Sequence, residues 1–291
     1  MKRVGLFLAM ILMLSMVGFV SAHSVTVDGN PTDWKAETST QNINTWQIYS
    51  DVGEWVWKDA TGDERTDFAN PDKRVDITEF RVTADDQYIY FFIKFNDLDV
   101  VGQDGAPGIM ITLDTNPGVG EPSFGYNSET YVNSDARWEY QLLLDLANGA
   151  VQDGTPVYGD GTLVWNGGSP LDLVNMDYGA DLSSSNDMFV ASTTNDLVEV
   201  RILKSEIGNP STIRVELAVV RVNPNGDAWD INRVSDVLDA MTTTGPNTWD
   251  EVGDGVVDYY VDIDITQVPF FSDIAVALVL AVGVILFFRR H

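Results

Sequence analysis

Ile77-Thr78-Glu79-Phe80-Arg81-Val82, the turn Ala84-Asp85-Asp86-Gln87, and Tyr88-Ile89-Tyr90-Phe91-Phe92-Ile93-Lys94-Phe95 form the most readable stretch of this 291-residue chain. Two runs rich in aromatic and β-branched residues flank a short acidic turn, which is the pattern of a β-hairpin feeding a buried strand. Outward from it, strand patterns recur at Gly108 to Leu113, Trp138 to Leu146, Met188 to Thr193, Leu197 to Leu203, Thr212 to Val222 and Val256 to Ile265. Gly, Asn, Asp and Pro punctuate the intervals. The last run alternates, with Val257, Tyr259, Val261, Ile263 and Ile265 on one side and Asp258, Tyr260, Asp262 and Asp264 on the other.

Only two helical turns are expected, Leu203 to Ile207 and Ser235 to Met241, the second with Ser235 as N-cap and Asp236 in its first turn. Gly149 to Ser185 lacks strong periodicity and reads as a loop region laid over one face. Many strands with few helices predict an all-β antiparallel sandwich, not a βαβ enzyme fold.

The ends read differently. Lys2-Arg3, an apolar run from Val4 to Val20, and Ser21-Ala22 have the three regions of an export signal, so residues 1–22 are expected to be a signal peptide. Val268 to Phe288 is apolar except for Ser272 and Asp273 and is followed by Arg289-Arg290-His291. About 20 apolar residues cross a bilayer, so 267–288 are expected to be a transmembrane helix with 289–291 as a basic cytoplasmic tail. Residues 23–266 then form an extracellular ectodomain tethered to the cell membrane by a single pass. Pro269, the apolar run and the terminal arginines also resemble archaeal sorting signals, in which such a helix is removed.

Four of the 17 basic residues (Lys2, Arg3, Arg289, Arg290) and one of the 44 acids (Asp273) lie in those ends, leaving 13 basic against 43 acidic residues between them. That surface repels nucleic acid and anionic head groups, and leaves neutral polysaccharide, divalent cations and other surface proteins as partners. Of the acids 33 are Asp and 11 are Glu, which places the charge in turns and loops. With no Cys, the fold uses no disulfide. With His23 and His291 as its two histidines, it has no material for a Ser-His-Asp triad, a His-ligated zinc or a Met/His haem site.

Two acidic groups have the oxygen-rich, glycine-bent character that calcium takes. The first is Asp59, Asp63, Glu64 and Asp67 with Asp72 and Asp76, bent at Gly62. The second is Asn96-Asp97-Leu98-Asp99 with Asp104 and Asp114, bent at Gly102 and Gly105. Asp59, Asp63, Asp76, Asp97, Asp99 and Asp104 are the expected metal ligands. A sugar ring stacks on an aromatic face while side-chain amides and guanidinium groups take its hydroxyls. Trp138 with Arg137, and Trp165 with Asn166, are the expected carbohydrate contacts, against the commoner role of Trp in a core.

His23-Ser24-Val25-Thr26-Val27-Asp28-Gly29-Asn30-Pro31-Thr32-Asp33-Trp34 resembles the V-D-G-x-x-x-D-W opening of family-nine carbohydrate-binding modules and related DOMON-type sandwiches. Trp57-Lys58-Asp59-Ala60-Thr61-Gly62-Asp63-Glu64, with Phe68-Ala69-Asn70-Pro71 and Val75 to Val82, resembles the start of the glucodextranase C-terminal-like domain, found also on archaeal surface proteins. The resemblance implies a jelly-roll or DOMON-like sandwich, sugar binding through exposed aromatics, and structural calcium. An Asp in such turns also commonly bonds its own backbone, so Asp28, Asp33 and Trp34 have a purely structural reading beside the functional one. Together these expectations describe a noncatalytic surface protein with a carbohydrate-binding-like domain. The alternatives are a structural or adhesive envelope protein and, third, a glycoside hydrolase working through paired carboxylates.

Overall fold

The computed structural model describes residues 23–64, 74–102, 106–124, 130–146, 151–152, 155–156, 162–166, 171–176, 182–220, 234–238 and 255–265. The expected signal peptide and transmembrane helix lie outside these residues. Among the described residues no helix is long and apolar enough to cross a membrane.

The strands are β1 (Gln47–Tyr49), β2 (Glu54–Lys58), β3 (Ile77–Ala84), β4 (Tyr88–Phe95), β5 (Gly108–Asp114), β6 (Tyr140–Asp145), β7 (Val151–Gln152) and β8 (Thr155–Pro156). They continue as β9 (Thr162–Asn166), β10 (Leu171–Asn175), β11 (Met188–Ser192), β12 (Leu197–Leu203), β13 (Thr212–Val220), β14 (Val234–Val237) and β15 (Asp262–Asp264). Seven form one sheet in the order β1-β2-β3-β4-β12-β11-β9, and a second sheet runs β10-β6-β5-β13-β14 with β15 also on β13. Every strand pairing within these sheets is antiparallel. One apolar core draws Phe80, Phe91 and Val200 from the larger sheet and Ile109, Leu142 and Leu217 from the smaller. The architecture is therefore all-β and sandwich-like.

The β3–β4 hairpin forms as read. Asp85 closes its turn by accepting hydrogen bonds from the Gln87 and Tyr88 amides at 2.8 and 2.7 Å. Strand β4 is apolar at nearly every position because both of its faces are covered. Ile89, Phe91, Ile93 and Phe95 enter the core between the sheets, with Phe80 and Phe91 stacked at 6.2 Å. Tyr90 and Phe92, on the other face, are covered by Val25, Val27 and Trp34.

That cover explains the V-D-G-x-x-x-D-W opening. Asp28 accepts from the Asn30 amide and Asp33 from the Thr26 amide, so both acids brace their own turn. The buried Glu199 accepts from the Asp28 and Gly29 amides and from the Trp34 indole at 2.8 to 3.0 Å. Gly29 has φ +77°, and a Cβ there would meet Val190 Cγ1 at 3.1 Å, so the close approach to the sheet needs glycine. The structural reading of Asp28, Asp33 and Trp34 is the one their surroundings support.

Three expectations change. Ser235 to Met241 is expected to be a helical turn, but Val234–Val237 is strand β14, with Val234 and Val237 buried and its backbone paired to β13, while 239–241 lie outside the described residues. Sheet pairing and burial of the two valines override a capping pattern that is only local. The stretch from 149 to 185, read as loop, contains β7 to β10, of which β9 and β10 edge the larger and the smaller sheet. Val256 to Ile265 is strand only at β15, yet its alternation holds, because Val257, Ile263 and Ile265 are buried and Asp262 and Asp264 exposed. The turn after β12 is a short 3-10 helix at Lys204–Ile207, ending on Gly208.

Candidate metal centre

Strand β2 ends at Lys58, the chain turns through exposed Thr61 and Gly62, and it returns to enter β3 at Ile77. Asp59, Asp63 and Asp76 therefore lie around one end of the β2–β3 pair. The smaller sheet adds a fourth acid. Asp236, in the middle of β14 and wholly buried, accepts a hydrogen bond from the Ile77 amide at 2.6 Å. Carboxylate oxygens of Asp63, Asp76 and Asp236 lie within 4.8 Å of one another. Asp59 is 4% exposed and close enough for its charge to act on Asp236.

The electrostatics are those of acids crowded out of water. Burial, and then the charge of Asp63, pushes Asp59 well above the usual carboxylate range. Burial, and then Asp59 and Asp63, does the same to Asp236. Burial and Asp76 raise Asp63 to about 7. Among the described residues no lysine, arginine or histidine pairs with Asp59, Asp63 or Asp236.

Hydrogen bonds satisfy part of the cluster. Asp76 accepts from the Gly62 amide at 2.9 Å and from Asn96 Nδ2 at 2.7 Å, and Asp59 from the Ala60 amide at 3.2 Å. Asp59 Oδ2 and both oxygens of Asp63 are shielded from water and make no hydrogen bond of normal geometry, with the Trp57 indole as a donor near Asp59. A buried carboxylate oxygen left so is costly unless something positive fills the space. A cation bonded to oxygens at about 2.3–2.6 Å spans about 5 Å between opposite ligands, which matches this spacing. All-oxygen donors with no nitrogen or sulfur fit a hard cation such as calcium.

Of the six expected ligands, Asp59, Asp63 and Asp76 converge here. Asp97 and Asp99 do not: both are exposed beyond the end of β4, and Asp99 lies 3.9 Å from Arg74. Asn96 from that same segment does reach the centre, through Asp76. Asp104 lies outside the described residues. Asp236 escaped the sequence reading because it stands far along the chain in a stretch that looked helical. An Asp between Val234 and Val237 on a buried strand is the signal that would have flagged it.

The two expected pairs of sugar contacts stand on different parts of the sandwich. Trp138 is fully buried against Phe124 and Met110, outside the smaller sheet, with its indole donating to the Ser123 carbonyl at 2.9 Å. Its ring is closed to a ligand from solvent, which corrects the expected stacking role. Gly120 at φ +107° lets the chain pass so close to Trp138 that a Cβ would stand 2.5 Å from its carbonyl oxygen. Arg137 is exposed beside it. Trp165 and Asn166 lie instead on β9 of the larger sheet, in register with Phe189 and Met188. Trp34, Trp55 and Trp57 are buried, and Trp46 is half-buried against Trp57 and Phe80.

Compared with known proteins, the chain matches no family model, no curated protein and no solved structure.

Proposed function

We propose that this chain is a noncatalytic, membrane-anchored surface protein whose jelly-roll or DOMON-like sandwich is calcium-supported and displays a carbohydrate-binding-like domain. The observation that carries the calcium part is the group Asp59, Asp63, Asp76 and Asp236, in which Asp59 Oδ2 and both Asp63 oxygens are buried without a hydrogen bond. Bound there, the ion would supply positive charge to acids that otherwise repel one another. The residues serve to hold it and perform no chemistry on a substrate. Display at the cell membrane rests on the apolar, arginine-ended stretch 267–288 and on the signal-like 1–22.

Polysaccharide is the ligand class that the resemblance and the acidic surface favour, with Trp165, Asn166 and the exposed Arg137 as the remaining contacts. The burial of Trp34, Trp55, Trp57 and Trp138 favours a second reading, a structural or adhesive envelope protein that contacts other surface proteins. Melting in calcium and in chelator tests the calcium part: a higher Tm in calcium is expected, and indifference to chelator overturns it. Pull-down on insoluble glucan, xylan and chitin separates the two readings. Retention lost on Trp165→Ala supports sugar binding, whereas no retention alongside self-association supports the envelope protein.

A further inference from the structure

Asp236 differs from the other acids of the centre in the sheet that carries it. Asp59, Asp63 and Asp76 flank β2 and β3 of the larger sheet, whereas Asp236 belongs to β14, the edge of the smaller one. Strand β14 is short. It is four residues long, and it meets β13 through the pairs Ala218↔Val237, Val219↔Asp236 and Val220↔Val234, with an irregularity between the last two. Across the seam, Asp236 bonds the Ile77 amide where β3 begins. The same contact brings its carboxylate within 4.8 Å of those of Asp63 and Asp76 and within reach of the charge of Asp59. Ionised, these acids repel one another in a water-poor seam, so without a cation β14 stays in place only at the cost of keeping protons on them.

We infer that the cation is a clasp between the two sheets, ligated by Asp236 of β14 on one side and by Asp59, Asp63 and Asp76 on the other, so that its occupancy decides whether β14 stays docked. This rests on the calcium reading and goes beyond it. An ion held by the larger sheet alone would brace the 59–76 loop and leave β14 indifferent. A cross-sheet ion must leave before β14 can open, which couples the opening of β14 to ion release.

Hydrogen exchange of the full chain, read at the amides of Val234–Val237 and of 74–84 with and without calcium, tests the clasp, with calorimetry reporting binding independently. At free calcium a hundredfold above Kd, exchange in β14 is expected to slow about a hundredfold relative to chelator, together with the start of β3. Asp236→Asn is expected to lose that protection in β14 and to bind calcium more weakly. If calcium binds but protects only the 59–64 and 74–84 amides of the unsubstituted protein, the clasp is overturned and the calcium reading stands. If calorimetry shows no binding and exchange does not change, both fall together. The comparison within the unsubstituted protein decides the matter even if the Asp236 variant does not fold.

Discussion

Strand β3 has an aspartate cluster before its first residue and a single buried aspartate, Asp85, after its last, roughly 26 Å away at about 3.3 Å per residue. Asp85, at the far end, accepts from the Gln87 and Tyr88 amides, the Tyr90 hydroxyl and the Ser24 hydroxyl. Burial alone would raise it, but those donors outweigh burial and hold it below the usual carboxylate range. At the near end the same residue type is raised, because burial, and then the charges of neighbouring acids, outweigh the donors that Asp59, Asp63 and Asp236 have. A buried acid supplied with donors by its own chain is part of the scaffold. A group of acids left without them needs something the chain does not contain.

The far end also gathers the two limits of the described domain. Ser24 bonds Asp85, and the buried Lys204 donates to the carbonyls of Asp85 and Ile265. The acid cluster thus sits at the opposite end of β3 from the point where the chain enters and leaves the sandwich.

The sharpest way to break the contrast is to remove the satisfied acid. Asp85→Ala strands four donors, at a cost of about 3 kcal/mol, and is expected to lower Tm equally in calcium and in chelator. A fall confined to calcium would mean that the two ends are not independent.

The next largest effect is that of the ion itself. At calcium a hundredfold above Kd, binding contributes about 2.7 kcal/mol, which for a domain of this size raises Tm by about 5–10 °C over chelator.

Acidity separates the ends further. Asp63, raised to about 7, keeps in the folded state a proton that the unfolded chain releases near its ordinary value of 3.8. Its contribution is full below that value and is lost as pH rises through 7. In chelator, Tm is therefore expected to fall between pH 5 and pH 8, by less than the full calcium effect. In calcium the trend should reverse, since ionised acids bind the ion more tightly. Asp85, being lowered, acts in the opposite sense, and its contribution disappears as pH falls below the usual carboxylate range.

The smallest effect sharpens the comparison most. Asp63→Asn removes one of the repelling charges, so it is expected to stabilise the protein in chelator by on the order of 0.5 kcal/mol while lowering Tm in calcium. A variant destabilised in both conditions would mark Asp63 as scaffold, like Asp85.

Much of the fold was legible because strands and turns follow from neighbours in the chain. The run Tyr88 to Phe95 and the run Leu197 to Leu203 are strands over those same residues, and the Ala84 to Gln87 turn closes through Asp85 as turn chemistry requires. Strand β14 was not legible. Four residues with a serine and an aspartate carry a weak pattern, and what makes them a strand is β13 on one side and Ile77 on the other. The burial of Trp138 is hidden for a related reason: nothing near it in the chain announces the apolar cluster, with Phe124 and Met110, that takes in its ring.

Composition and local pattern thus determined that this is an acidic, cysteine-free, all-β chain with aspartate-rich loops, and they brought Asp59, Asp63 and Asp76 under suspicion together. Only the packing of one sheet on the other decided that Asp236 joins them while Asp97 and Asp99 face solvent. Hydrophobic period and turn preference act over a few residues, whereas convergence of charges depends on which strands share a seam, a property that no single segment contains.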